Sequence, residues 1–376
     1  MQRDEIIRFD TPLTHSSPYF FGEAIVDHFP AELKSREFDR CFLVTSKKLL
    51  DTFGREMHDK LLRANVRCDV VLVEEGETHK GWDSLSSLCE DVVRRGATKD
   101  SILIALGGGA IGNIVGLAAA LIFRGIRFVE VPTTVMGQTD STLSNKQAIN
   151  GRYGKNHFGV YYAPEFIWAD AAYPRSEPIR QRRGGVVEGI KNILISRSSV
   201  GDAKPILDAW QSPGPLQPLL KLLIESKLGI LKKDPTERAS AVMLEYGHTF
   251  GHSIEFLSRG ALFHGEAISI GMCLAARLSH RLGYMNDELL AEHYRLLGEV
   301  LGAPTRLPVE VSPERLFETM CSDNKRSGKG LNYLLLRRCG EFVTDDQGDC
   351  MVRVERQAVL EMLSSDAAQP VLAAAK

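Results

Sequence analysis

The sequence predicts an α/β protein of two domains, a parallel-sheet domain at the N-terminus followed by an all-helical one. Three observations carry this expectation. Short, almost wholly apolar runs alternate with helical stretches through the first half; a glycine run sits between one such strand and the next helix; and helical periodicity takes over after about residue 176. At 376 residues the chain is long enough for two domains with cores of their own.

Taken in order, "CFLVTS" (41–46), "CDVVLVE" (68–74), "SILIALGG" (101–108) and "IRFVEVPTT" (126–134) read as strands. Their near-continuous apolar character is that of parallel strands covered on both faces. "WDSLSSLCEDVVRRG" (82–96) and "NIVGLAAALIFRG" (113–125) read as the helices between them. Strand, helix, strand at this spacing predicts an open, Rossmann-like sheet with right-handed crossovers. Further on, "LEYGHTFGHSIE" (244–255) reads as a buried helix, and "LQPLLKLLIESKLGILKK" (216–233) and "EAISIGMCLAARLSHRLG" (266–283) as amphipathic or buried ones. "PRSEP" (174–178) is the expected junction, dividing the chain into 1–175 and 176–376. "QSPGPLQP" (211–218) reads as a loop inside the helical half, and 364–376 as a frayed tail.

Composition narrows the function. A formal net charge of −2 gives no reason to expect nucleic acid or an acidic membrane as a partner. The seven cysteines are scattered, odd in number and without a C-x-x-C pair, which argues for reduced thiols in a cytoplasmic protein. "MQRDEIIRFD" has no signal-peptide core. The most lipid-like run, "IVGLAAALIF" (114–123), is about half the roughly 20 residues that a membrane span needs.

The chemistry-bearing motifs cluster. In "ALGGGAIGN" (105–113), Gly107, Gly108 and Gly109 let the backbone approach a ligand where a helix N-terminus can hold a pyrophosphate. The run is not G-x-G-x-x-G, and a plain turn explains it as readily. Thr133 and Thr134 of "VPTT" end the next strand at the same carboxyl edge, as a nucleotide contact or a strand-end cap. Glu77 and Lys80 of "EEGETHK" could meet a ribose hydroxyl and a phosphate; taken alone, an exposed charged loop is the better reading. In "TDSTLSNKQAINGRYGKN" (139–156), Asp140, Lys146, Lys155 and Asn156 suit a solvated loop, yet they follow a buried strand beside that edge, where lysines could grip a phosphorylated substrate.

The second half adds Glu188 and Lys191 in "VVEGIKN", with apolar flanks that bury the glutamate, and His264 at a helix start in "FHGEAISIGM". With His248 they form a set of two histidines and one glutamate. That is a catalytic zinc pattern with an open fourth position, though the spacing is not that of H-E-x-x-H. His248 and His252 lie four apart, each preceded by a glycine, and for that pair alone core packing is the simpler account.

Together, and in this order, "GGGAIGN", "FRGIRFVEVPTT", "DSTLSNKQAIN", "GKN", "VEGIKN", "EYGHTFGHSIE", "HGEAISIGM" and "DNKR" resemble the sugar-phosphate cyclase superfamily, of the dehydroquinate synthase-like fold. The resemblance spans about residues 40 to 340. It implies an NAD-binding α/β domain, a helical metal-binding domain and a homodimer. It makes Glu188, His248 and His264 the ligands of one divalent metal, zinc or cobalt. It makes Ser46, Glu77, Lys80, Gly108, Gly109, Asn113, Thr133, Thr134 and Lys155 the NAD contacts. Lys146, Asn156, His252 and Lys325 become the substrate-phosphate site, with Arg124 from the other subunit, while Asp140, Lys191, Asn192 and Lys227 line the substrate. His252 and Glu245, with Lys146, are the expected catalytic groups, the C5 proton going either to Glu245 or to the substrate's own phosphate.

Substrate choice is read where the substrates differ. Dehydroquinate synthases hold a substrate carboxylate with an arginine seven residues before the metal histidine; here that position is Ala241. A buried carboxylate without a cation is unfavourable. Glu245 and Asn113 stand where those enzymes have Asn and Asp. All three differences, and the "LSNKQAIN" wording, are similar to the branch that forms 2-deoxy-scyllo-inosose from glucose 6-phosphate for aminoglycosides. Gly189, where the family has a larger apolar residue, and "DPTERASAVM" (234–243) depart from the pattern. A valiolone-type cyclase using sedoheptulose 7-phosphate, a dehydroquinate synthase, a polyol dehydrogenase and an NAD-sensing pseudoenzyme are the alternatives. The resemblance implies transient oxidation at C4, loss of phosphate from C6, return of the hydride and ring closure, so that NAD is recycled.

Overall fold

The computed structural model describes residues 7–10, 17–232, 240–321 and 331–368. They form two compact units that interleave along the chain, where the sequence suggested one cut. The first is Met1–Gly151, Asn156–Val186 and Asp208–Ala241; the second is Arg152–Lys155, Val187–Leu207 and Val242–Lys376.

The first unit is built on β1 (Ile7–Asp10), β2 (Pro18–Gly22), β3 (Cys41–Thr45), β4 (Cys68–Leu72), β5 (Ile102–Gly107), β6 (Arg127–Pro132), the hairpin β7 (Lys146–Gly151) and β8 (Gly154–Tyr161), and β9 (Ile167–Asp170). The main sheet runs β1-β2-β9-β6-β5-β3-β4. Only β1 is antiparallel to its neighbour. Side chains alternate along each strand, and both faces are covered. Phe42, Val44, Leu103, Ala105 and Phe128 pack with Leu85, Leu88, Ile111, Ile114 and Val115 of two helices on one side. Cys41, Leu43, Ile102, Ile104, Val129 and Val131 pack with Phe29, Leu33, Met57 and Leu61 on the other. Double coverage is why these strands read as apolar runs; each buried large aliphatic or aromatic side chain contributes about 1.5–3 kcal/mol.

All four expected strands form. The helix expected at 113–125 runs from Gly109 to Leu121 instead. It stops there because Phe123 and Arg124 adopt left-handed backbone angles, φ 52° and 69°. The hairpin is a structural feature that polarity concealed: "KQAING" forms β7 with the consecutive Gln147, Ala148 and Ile149 all buried, so both of its faces are covered there. Gly116 of the Gly109–Leu121 helix makes room for its glutamine; a Cβ there would lie 2.4 Å from Gln147 Cδ.

In the second unit the main helices are His248–Leu257, His264–Arg281, Asp287–Tyr294, Pro313–Met320 and Arg356–Ala368, with the part of helix Ile179–Ser196 from Val187 onward. Two short antiparallel pairs modify the all-helical expectation: β10 (Asn332–Leu334) with β13 (Met351–Arg353), and β11 (Leu336–Arg338) with β12 (Glu341–Phe342). Helix Gln217–Leu231 belongs to the first unit. The tail is helical to Ala368; residues 369–376 lie outside the described set.

The His248 and His264 helices touch along a glycine seam. A Cβ on Gly271 would lie 2.1 Å from the Gly247 carbonyl oxygen and 2.8 Å from the Gly251 nitrogen. One on Gly251 would lie 2.6 Å from Ile268 Cδ1. Gly247 itself has φ 78° and caps the His248 helix. Backbone therefore meets backbone where Gly247 and Gly251 of one helix cross Gly271 and Ile268 of the other, so the two helices run antiparallel and close-packed.

Candidate active site

Glu188, His248 and His264 converge within the second unit. One ligand atom from each lies within 4.8 Å of the others. Glu188 projects from helix Ile179–Ser196, and the histidines begin their respective helices. The Nε2 atoms of His248 and His264 stand 3.7 and 3.6 Å from Glu188 Oε1. These gaps are too long for hydrogen bonds and close to the donor separations that a tetrahedral ion with bonds of about 2.0–2.2 Å imposes.

Both imidazoles are oriented from behind. His248 Nδ1 donates to the Tyr246 carbonyl at 3.1 Å, and His264 Nδ1 to Glu255 Oε2 at 2.9 Å. In each ring Nδ1 is thereby committed behind the site, and Nε2 is the nitrogen that faces Glu188. Tyr246 is itself fixed: its hydroxyl donates to His293 Nε2 at 3.0 Å, and His293 Nδ1 donates to the Leu289 carbonyl at 2.8 Å. Burial by itself would raise the Glu188 pKa, but Lys191 and the two imidazoles hold it well below the ordinary carboxylate value. An ionised carboxylate with two imidazoles, which give up their Nε2 protons when a cation binds, is a donor set for zinc or cobalt.

His252 sits one turn beyond His248, with ring centroids 5.1 Å from His248 and 5.8 Å from His264. Glu245 ends the short 3-10 segment Ser240–Glu245, three residues before His248. Lys191 and Asn192 are buried on the Glu188 helix. Lys155, expected at the cofactor, is ion-paired to buried Glu255.

In the first unit, the expected cofactor residues follow the carboxyl ends of adjacent parallel strands. β3 is followed by Ser46, β4 by Glu77 and Lys80, β5 by Gly108 and Gly109, and β6 by Thr133 and Thr134. The strand order reverses between β3 and β5, the position where open α/β sheets bind ligands. Gly108 precedes the Gly109–Leu121 helix, and a Cβ on Gly109 would lie 3.0 Å from Ser141 Oγ. Several of these side chains also do local work. Ser46 Oγ accepts from Leu49 N, and Thr134 Oγ1 accepts from Gly137 N. Asn113 Nδ2 donates to the Lys146 carbonyl at 3.1 Å, fixing the start of β7.

The substrate set divides into pairs. Lys80 Nζ donates to Asn156 Oδ1 at 2.6 Å, and Asn150 bridges Glu77 Oε1 and the Asn156 amide. Lys227 Nζ reaches Asp140 Oδ1 at 2.7 Å and its carbonyl at 2.9 Å. Arg124 is exposed in its left-handed turn. Lys325 and the rest of "DNKR" lie outside the described residues. Sequence reasoning missed Glu255, Tyr246 and His293. Glu255 had a signal: it is seven residues after His248, two helical turns along the same face.

The chain matches the family model of the 3-dehydroquinate synthase N-terminal domain over residues 70–183 and that of the C-terminal domain over 185–326. It is 35% identical over 370 residues to a 2-deoxy-scyllo-inosose synthase of Streptomyces kanamyceticus, covering 96% of this chain and 94% of that one. A crystal structure of 2-deoxy-scyllo-inosose synthase complexed with carbaglucose-6-phosphate, NAD+ and Co2+ superimposes with a TM-score of 0.84 at 28% identity, covering 96% of this chain and all 100% of that one. A 2-epi-5-epi-valiolone synthase from Streptomyces hygroscopicus, with NAD+ and Zn2+ bound, shares the fold at a TM-score of 0.80 and 22% identity, covering 96% and 99%. On the sheet, the ligand trio and these likenesses together, the chain belongs to the 3-dehydroquinate synthase family of sugar-phosphate cyclases.

Proposed function

We propose that this chain converts glucose 6-phosphate to 2-deoxy-scyllo-inosose and inorganic phosphate, as a homodimeric cytoplasmic enzyme of aminoglycoside biosynthesis. The observation that carries the reading is the buried glutamate with two imidazoles whose Nδ1 atoms are already engaged. The substrate assignment is supported by Ala241 in place of the carboxylate-binding arginine, by Glu245 and Asn113, and by the synthases of that name among the relatives. No helix among the described residues is long and apolar enough to cross a membrane.

When bound, NAD+ supplies a reversible hydride acceptor and a divalent cation supplies a Lewis acid. Glu188, His248 and His264 hold the cation. The backbone amides after Gly108 would hold the dinucleotide pyrophosphate, with Lys80 at a phosphate, Glu77 accepting from a ribose hydroxyl and Thr133 beside the nucleotide. Lys146, Asn156 and His252 bind the substrate phosphate, together with Lys325 and a partner-subunit Arg124. Lys227, braced by Asp140, orients substrate hydroxyls, with Lys191 and Asn192. Glu245 takes the C5 proton that elimination of phosphate requires, and Lys146 moves the proton of the C4 hydroxyl.

The test is phosphate release from a panel of sugar phosphates, with products identified by mass. Glucose 6-phosphate should release one phosphate per carbocycle with NAD+ in catalytic amount and a divalent metal present. Stoichiometric NADH would mark a polyol dehydrogenase instead. Preferred turnover of sedoheptulose 7-phosphate would mark a valiolone-type cyclase.

A further inference from the structure

Each of the two metal-facing imidazoles has its back nitrogen engaged, but by different chemistry. His248 donates to a neutral backbone carbonyl, whereas His264 donates to the carboxylate of Glu255. Glu255 is only 8% exposed, too buried to stand ionised without partners, and it divides its two oxygens between two of them. Oε2 takes the His264 proton, and Oε1 takes the Lys155 ammonium. Lys155 is 7% exposed and sits at the start of β8. A structural ion pair needs only the lysine, so the second contact requires its own explanation. The other carboxylate facing His264, Glu188, likewise has a buried lysine of its own in Lys191.

We propose that Glu255, held in place by Lys155, is a positioning residue for the metal centre, fixing His264 as the tautomer that presents Nε2 to the cation. The contact is charge-assisted, so it also raises the electron-donating power of that nitrogen. Lys155 keeps the carboxylate ionised and stops it from turning toward the cation as a competing ligand. Metal affinity is thereby tied to the β7–β8 turn, which carries Lys155 and, one residue on, Asn156.

This inference rests on the metal reading above, and one titration separates the two. Co2+ is added to wild-type, Glu255→Gln and Glu255→Ala protein against a competing chelator, reading the visible d–d bands, with NAD+ affinity measured alongside. Wild-type protein that binds no Co2+ sinks the metal reading itself. With wild-type binding in hand, the relay predicts a Kd raised about 10–100-fold in Glu255→Gln. It predicts at least as large a loss in Glu255→Ala, altered band positions, and NAD+ affinity within twofold. Wild-type Kd and bands in both variants would overturn the proposal. Should either variant fold poorly, Lys155→Gln reads the relay from its far end: a several-fold weaker Kd supports it, and an unchanged one refutes it.

Discussion

Glu188 would be a costly residue to bury alone, and what surrounds it explains why it is there. Lys191 compensates its charge, and the two imidazoles stand off at distances that leave room for an ion. Replacing His248 by Ala should raise the metal Kd at least about 100-fold and abolish turnover, while NAD+ affinity, measured by calorimetry, stays within twofold. These three residues were legible in the sequence because charged and imidazole side chains between apolar flanks require a reason. Glu130 was not, since it lies inside an apolar strand as one letter of "FVEVPTT". It is buried on β6, and its Oε1 would be 3.2 Å from a Cβ on Gly112. Burial raises its pKa from 4.5 to about 7, against a smaller lowering by a hydrogen bond with Gln147. The folded state therefore holds a proton that the unfolded chain releases above 4.5. Stability from this group falls as pH rises from 4.5 to about 7, by an amount on the order of 3 kcal/mol. Glu130→Gln removes that penalty. Its melting temperature should exceed the parent's at pH 8 and nearly match it at about pH 5.

At the scale of elements, the glycine seam decides where the metal ligands fall. Gly247, Gly251 and Gly271 let two helices approach until backbone touches backbone, so the seam sets the distance between His248 and His264. In Gly271→Ala the added methyl would collide with the Gly247 carbonyl, 2.1 Å away, and neither partner is a flexible side chain. That substitution should destabilise the protein by at least about 2 kcal/mol and weaken metal binding together with it, read by chemical denaturation and Co2+ titration. The glycines preceding His248 and His252 were visible in the sequence; the third, Gly271, looked like an ordinary member of a long helix. Strands covered on both faces were legible because burial on both sides leaves no polar residues to confuse the pattern. The β7–β8 hairpin was not, because its strand is written in Lys, Gln and Asn and buries a polar Gln147 together with Ala148 and Ile149.

At the scale of the whole molecule, the order of motifs along the chain carried the family reading, and a single motif did not. The glycine loop lacks the dinucleotide fingerprint, and the ligand trio lacks the zincin spacing. Both gain meaning from the same architecture: a switch point between β3 and β5, and two antiparallel helices packed closely along a glycine seam. The partition of the chain was harder to read, because linkers mark where a chain loosens and say nothing of where it returns. The polypeptide passes from one unit to the other at 151/152, 155/156, 186/187, 207/208 and 241/242. Neither unit is thus a continuous stretch that could be cloned separately. A chimera that borrows the nucleotide-binding part from a relative has to be spliced at every one of those crossings, and a simple front-for-front exchange would graft mismatched halves into both.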